Sequence, residues 1–156
     1  MIELDVPGRG TLKLNYLVCD VNGTLALDGK LQDGVVRAFK TLRDRLEIHL
    51  LTANTYGGQT QIDHQLELNA HIIQPGNESA QKVAFIQRLG AAHVVAIGQG
   101  ANDSEMLRAA AVGICVLSRE GAAQETLFAA DIVVPDILAA FELLEKPLRM
   151  IATLRK

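Results

Sequence analysis

An α/β fold, with a mostly parallel sheet and helices on both faces, is what this sequence predicts. Two observations carry the prediction. Strand-like apolar runs alternate five or six times with segments whose apolar residues recur at helical spacing, and the connections are short. The run Leu17-Val18-Cys19 also ends in Asp20, followed by Asn22-Gly23-Thr24. That places a carboxylate at the C-terminal tip of a buried strand, where open α/β sheets bind ligands.

The elements follow in order. Residues 2–5 and 11–14 read as two short strands around the turn cluster Pro7-Gly8-Arg9-Gly10, an N-terminal β-hairpin expected at an edge of the sheet. Residues 16–19 read as a buried strand. Asp28-Gly29 suits a type I′ turn, so 24–27 and 30–31 form a tight hairpin. Val35, Phe39, Leu42 and Leu46 predict an amphipathic helix over 33–46. Strands at 48–51, 71–74, 94–97, 113–117 and 132–134 then alternate with helices at 59–66, 79–89, 103–110, 122–129 and 137–144. Val83 and Ile86 are expected on the inner face of the helix at 79–89. A last helix at 148–154 starts after Pro147, a residue that suits a helix start.

Composition narrows the function. With 156 residues the chain fits one domain, 1–156, and with four Phe, two Tyr and no Trp its core must be aliphatic. A formal net charge of −3 argues against nucleic acid or an anionic membrane as partner. No apolar run approaches a membrane span and the N-terminus lacks a signal-peptide pattern, so a cytoplasmic protein with reduced Cys19 and Cys115 is expected. His49, His64, His71 and His93 show no ligand spacing.

Four places in the chain carry chemistry: Asp20-Val21-Asn22-Gly23-Thr24; Thr52 after a strand; Lys82 near a helix start; and Gly98-Gln99-Gly100-Ala101-Asn102-Asp103 after another strand. The last is not a dinucleotide loop, because position 103 is Asp where GxGxxG needs Gly. Each place follows a strand or opens a helix, so all four can converge on one crevice.

In this order they resemble the four motifs of the haloacid-dehalogenase-like (HAD) superfamily. The downstream runs Asn102-Asp103-Ser104-Glu105-Met106-Leu107, Val112-Gly113-Ile114-Cys115-Val116 and Ala129-Ala130-Asp131-Ile132-Val133-Val134 look like the phosphorylation domain of P-type ATPases. The resemblance implies a HAD-like Rossmannoid fold in which Asp20 attacks phosphorus and forms an aspartyl-phosphate. It makes Thr52, Ala53, Gly23 and Lys82 the phosphate-binding groups. It makes Asp20, the carbonyl of Asn22 and Gln99 the ligands of Mg²⁺, with Asp103 alongside.

Two positions depart from the family pattern. Asn22 stands where phosphatases of the family keep a second Asp that protonates the leaving group, a contribution of ~10²–10⁴-fold. Gln99 stands where they keep an acidic metal ligand. The expectation is a weak Mg²⁺-dependent phosphohydrolase or aspartyl-phosphate former. Its rival is a degenerate relative that binds a phosphorylated small molecule or protein. The gaps from Asp20 to Thr52 and from Thr52 to Lys82 are too short for a cap domain. A homo-oligomer is therefore expected, with a neighbour's Asp28-Gly29 hairpin or its C-terminal helix, through Ile151 and Leu154, shielding the crevice.

Overall fold

A computed structural model of the chain describes residues 1–54 and 57–156. The chain opens with an antiparallel pair, β1 (Ile2–Val6) and β2 (Gly10–Leu14). The central strand β3 (Tyr16–Asp20) leads into a hairpin of β4 (Ala26–Leu27) and β5 (Lys30–Leu31), whose turn residues Asp28 and Gly29 both take positive φ. Helix α1 (Val35–Leu42), strand β6 (Glu47–Thr52), helix α2 (Gln59–Leu66) and strand β7 (His71–Ile72) follow. Then come α3 (Glu78–Leu89), β8 (Val94–Gly98), α4 (Ser104–Ala109), β9 (Val112–Val116), α5 (Gln124–Ala129), β10 (Ile132–Val134), α6 (Ile137–Glu145) and α7 (Leu148–Leu154).

Six strands form one sheet in the order β10-β9-β8-β3-β6-β7, and every pair in it is parallel. From β3 the chain moves outward through β6 and β7, then crosses back to β8 on the other flank of β3. The order therefore reverses between β3 and β8, and a crevice opens at their carboxyl ends. One face carries Leu17, Cys19, Leu50, Ile97 and Ile114 against α1, α2 and α6, where Phe39 and Phe141 meet edge-on at 5.5 Å. The other carries Val18, Leu51, Ala96 and Cys115 against α3 and α4. Both cysteines are buried and free, on opposite faces.

Four expectations change. The N-terminal hairpin is not an edge element; it is a separate two-stranded sheet. Its inward residues Ile2, Leu4, Val6 and Leu14 join the main core, and Arg9 donates to the Ala111 carbonyl (2.6 Å) and pairs with Asp131 (2.9 Å). Asn15, just past β2, bonds His93 and Glu47. These partners precede or open β6, β8, β9 and β10, so the hairpin closes the sheet at the end opposite the crevice.

Helix α1 is shorter than predicted because its last turn unwinds to feed β6, although Leu46 still reaches the core. Ile151 and Leu154 pack inside their own chain, where α7 lies on β1, so they are not free to cover a neighbour's crevice. On α3 the inner face is Lys82, Phe85 and Ile86, with Val83 only half-buried. None of the described helices is long and apolar enough to cross a membrane.

Candidate active site

Asp20 is the last residue of β3. Beyond it the chain turns back at once, with Thr24, Leu25 and Ala26 all donating to the Val21 carbonyl. That turn needs φ +79° at Gly23, which glycine adopts without strain. It also brings the buried Thr24 hydroxyl to Asp20, donating to Oδ2 at 3.2 Å.

Lys82 comes from the opposite flank. The loop before α3 is held by the Gln81 side chain, which bonds both the Gln74 amide and the carbonyls of Gln74 and Gly76. One residue later, the Lys82 ammonium points into the crevice. It donates to Asp20 Oδ1 (2.8 Å), Asp103 Oδ1 (2.6 Å) and Asn102 Oδ1 (3.2 Å), which uses all three of its hydrogens. Asn102 is itself held by Glu78 Oε2 at 2.6 Å.

Asp103 opens α4 and is fully buried. Its Oδ2 accepts from the backbone amides of Gln99 and Gly100, both at 3.0 Å. The carboxylate lies so close over Gly98 that a Cβ there would sit 2.6 Å from it. Asp103 thus stabilises the fourth-motif loop and the lysine, and no oxygen of it faces solvent.

Two carboxylates and one ammonium leave this buried cluster with a surplus negative charge. Burial, then the nearby Asp103 charge, pushes the Asp20 carboxyl up to about 7 against the pull of Lys82 and Thr24. Burial pulls the Lys82 ammonium down, but Asp20 and Asp103 outweigh it and hold its pKa above the ordinary lysine value. Behind Asp20, burial and the aspartate charge push the Cys19 thiol well up, so it is not a nucleophile.

Thr52 ends β6, beside β3. Its hydroxyl oxygen accepts from Asn22 Nδ2 (3.1 Å) and from the Asn54 amide (2.9 Å), and the residue is fully buried. An Asp at 22 could not make the first of these bonds in ionised form. Ala53, next in the chain, is half-buried at the same end of the sheet.

Gln99 follows β8 and is buried, with its amide nitrogen over Gly23. Glu120, from the loop after β9, reaches the same place: Gln99 Nε2 and Glu120 Oε2 both lie within 2.5 Å of where a Cβ on residue 23 would be. The donors that the resemblance assigns to a divalent cation are all hard oxygens: the Asp20 carboxylate, the Asn22 carbonyl and the Gln99 amide oxygen. Among the described residues no three His, Cys, Asp or Glu side chains gather to hold an ion by themselves. Mg²⁺ does not require that, since it keeps several waters and takes one or two carboxylates with substrate phosphate. The surplus negative charge of the cluster suits such an ion.

The crevice thus brings together Asp20, Asn22, Gly23, Thr52, Ala53, Lys82, Gln99 and Asp103 at the carboxyl ends of β3, β6 and β8. The sequence reading assigned no individual role to Thr24, Gln81 or Glu120. Thr24 had a local signal, a hydroxyl four residues after the aspartate. Glu120 had only its place just beyond a parallel strand.

No protein-family model matches the chain. It is 39% identical over 84 residues, 51% of this chain and 90% of the relative, to the uncharacterized protein MJ0073 of Methanocaldococcus jannaschii. The uncharacterized protein MJ0072 of the same organism is 44% identical over 39 residues, 25% of this chain and 89% of the relative. Among solved structures, the cobalt-bound deoxy-D-mannose-octulosonate 8-phosphate phosphatase (YrbI) of Haemophilus influenzae superposes with a TM-score of 0.68 at 15% identity, covering 89% of each chain. The corresponding phosphatase of Moraxella catarrhalis, in complex with magnesium, phosphate and KDO, gives 0.63 at 20% identity over 85% of this chain and 86% of that one. The catalytic domain of the CPx-ATPase CopB-B gives 0.57 at 20% identity over 74% of this chain and 45% of that one. With these matches added to the geometry, the chain belongs to the family of MJ0073 and MJ0072 and has the fold of the HAD superfamily.

Proposed function

We propose that the protein is a Mg²⁺-dependent phosphohydrolase, or an aspartyl-phosphate former, with slow turnover and Asp20 as nucleophile. The observation that carries this reading is the placement of Asp20: at the tip of β3, beside the switch in strand order, with its two oxygens held by Lys82 and Thr24. Bound Mg²⁺ would be held by Asp20, the Asn22 carbonyl and Gln99, and would offset the repulsion between carboxylate and phosphate.

An Asp20 oxygen bonds to phosphorus as the bond from phosphorus to the leaving oxygen breaks, in line. Lys82 keeps the nucleophile oriented and neutralises part of the charge gathered there. The leaving oxygen takes its proton from solvent, because the Asn22 amide has none to give. Water then attacks the aspartyl-phosphate, releasing phosphate and restoring Asp20, without an acid at 22 to activate it. Both halves are slowed by the same residue. The partner in this reading is a phosphorylated small molecule or protein.

A second reading, a non-catalytic binder of a phosphorylated ligand, is favoured by one specific contact. Asn22, where the reaction would use an acid, instead donates its amide to the Thr52 hydroxyl (3.1 Å), so this position braces the site and carries no proton for transfer.

Fluorine NMR with beryllofluoride and Mg²⁺ separates the two. Bound-fluoride signals are expected in the wild type and absent in Asp20→Asn. Hydrolysis of an aryl phosphate should rise by as much as ~10²-fold in Asn22→Asp combined with Gln99→Asp, and should vanish when Asp20→Asn is added. A double variant that binds Mg²⁺ yet shows no Asp20-dependent signal or hydrolysis would establish the binding reading instead.

A further inference from the structure

We infer that Glu120 supplies the metal site with the carboxylate that the fourth motif lacks at Gln99. The inference rests on the Mg²⁺-dependent reading above and adds a ligand from a different part of the chain.

Strand β9 ends at Val116, and the chain then makes a tight turn. The Gly121 amide donates to the Ser118 carbonyl (2.9 Å), the Glu120 amide donates to the Ser118 hydroxyl (2.9 Å), and Gly121 takes φ +85°. Just beyond, two bonds fasten this loop to the fourth motif: the Ala123 amide to the Gln99 carbonyl (2.9 Å) and the Thr126 hydroxyl to the Gly100 carbonyl (2.6 Å). Position 120 is thereby fixed over the first motif. Its carboxylate reaches Gly23, and only the absence of a side chain at 23 leaves room for it and for the Gln99 amide together. The neighbouring residue Asn22 is the one whose carbonyl the proposed reading gives to the ion.

The two side chains suit each other chemically. With no cation between them, an acid at 99 beside Glu120 would set two negative charges against each other, whereas the Gln99 amide nitrogen faces the same space as the Glu120 carboxylate and brings no charge. The charge missing at one position is thus present at the other. With Asp20, the site regains two carboxylates for an ion that prefers hard anionic oxygens.

Mn²⁺ titration followed by electron paramagnetic resonance tests this without reference to turnover. Glu120→Gln, which keeps size and shape, should weaken Mn²⁺ binding by about tenfold or more. Asp20→Asn should weaken it at least as much. Moving the acid back, in Gln99→Asp combined with Glu120→Gln, should restore wild-type affinity. If Glu120→Gln binds Mn²⁺ like the wild type while Asp20→Asn does not, Glu120 is no ligand and the Mg²⁺ reading stands without it. If the wild type shows no Mn²⁺ binding that Asp20→Asn diminishes, the Mg²⁺ reading falls and this inference falls with it. A lower metal-free melting temperature in Glu120→Gln, left unrepaired by moving the acid, would mark a purely structural role and overturn the proposal.

Discussion

Asp20, the nucleophile of the proposed reading, opposes the fold that holds it. Its carboxyl is raised to about 7 in the folded protein, mainly by burial. The folded state therefore holds that proton more tightly than the unfolded chain, where an aspartate titrates near 4. Between those two values the unfolded chain has lost the proton and the folded one has kept it, so stability falls as pH rises through this window. Asp20→Asn removes the cost. Thermal melts in metal-free buffer should show the variant equal to the wild type near pH 4 and more stable by several degrees at pH 8. A difference independent of pH would refute the assignment. The aspartate, the lysine and the threonine could all be named from residue type and order along the chain. Glu120 could not, since nothing in its own neighbourhood distinguishes it from a solvated loop acid. Its role depends on a glycine about a hundred residues earlier leaving a space.

At the scale of elements, the strands were legible because parallel strands covered on both faces are continuous apolar runs. Strand β10 formed at the predicted residues, and α7 did too. Boundaries were less legible where a neighbour decides them. Helix α1 ends early because β6 must start at Glu47 to pair with Tyr16. Helix α3 turns Lys82 inward, against the rule that lysines face water, because two carboxylates and an asparagine wait there. The joint between α4 and β9 is similarly hidden in sequence. A Cβ on Gly113 would stand 2.5 Å from the Leu107 carbonyl oxygen, so helix and strand touch backbone to backbone. Gly113→Ala should therefore push α4 off the sheet and cost about 1–3 kcal/mol, read as a lowered midpoint in urea with an unchanged slope. No loss of stability would mean that α4 shifts freely, and Asp103 at its start with it.

For the whole molecule, the parallel alternation and the crevice it creates were legible; the placement of the N-terminal hairpin was not. Hairpins read from sequence carry no address, and this one is located by Arg9, Asn15 and the apolar face of β1 rather than by an unpaired sheet edge. Between Asp20 and Thr52 stand only the β4–β5 hairpin, α1 and β6, so this interval holds no cap domain. With α7 committed to β1, the β4–β5 hairpin is the remaining candidate of the two for covering a second copy's crevice. We propose such a homo-oligomer. Light scattering at micromolar concentration should give at least twice the mass of one chain, and lengthening the Asp28-Gly29 turn should reduce it. A strictly monomeric wild type would exclude the arrangement.

The strand order also sets when the site can exist during folding. Strand β3 pairs early in the chain with β6, but its other neighbour, β8, is made long afterwards. Joining them closes the longest loop in the sheet, an entropically slow event in a fold already rich in non-local pairs. Until it happens Asp20 has neither Lys82 nor the fourth-motif loop beside it, so a half-folded chain exposes the aspartate as an ordinary solvated acid. In the proposed reading, reactivity toward phosphate would therefore depend on the joining of β3 to β8.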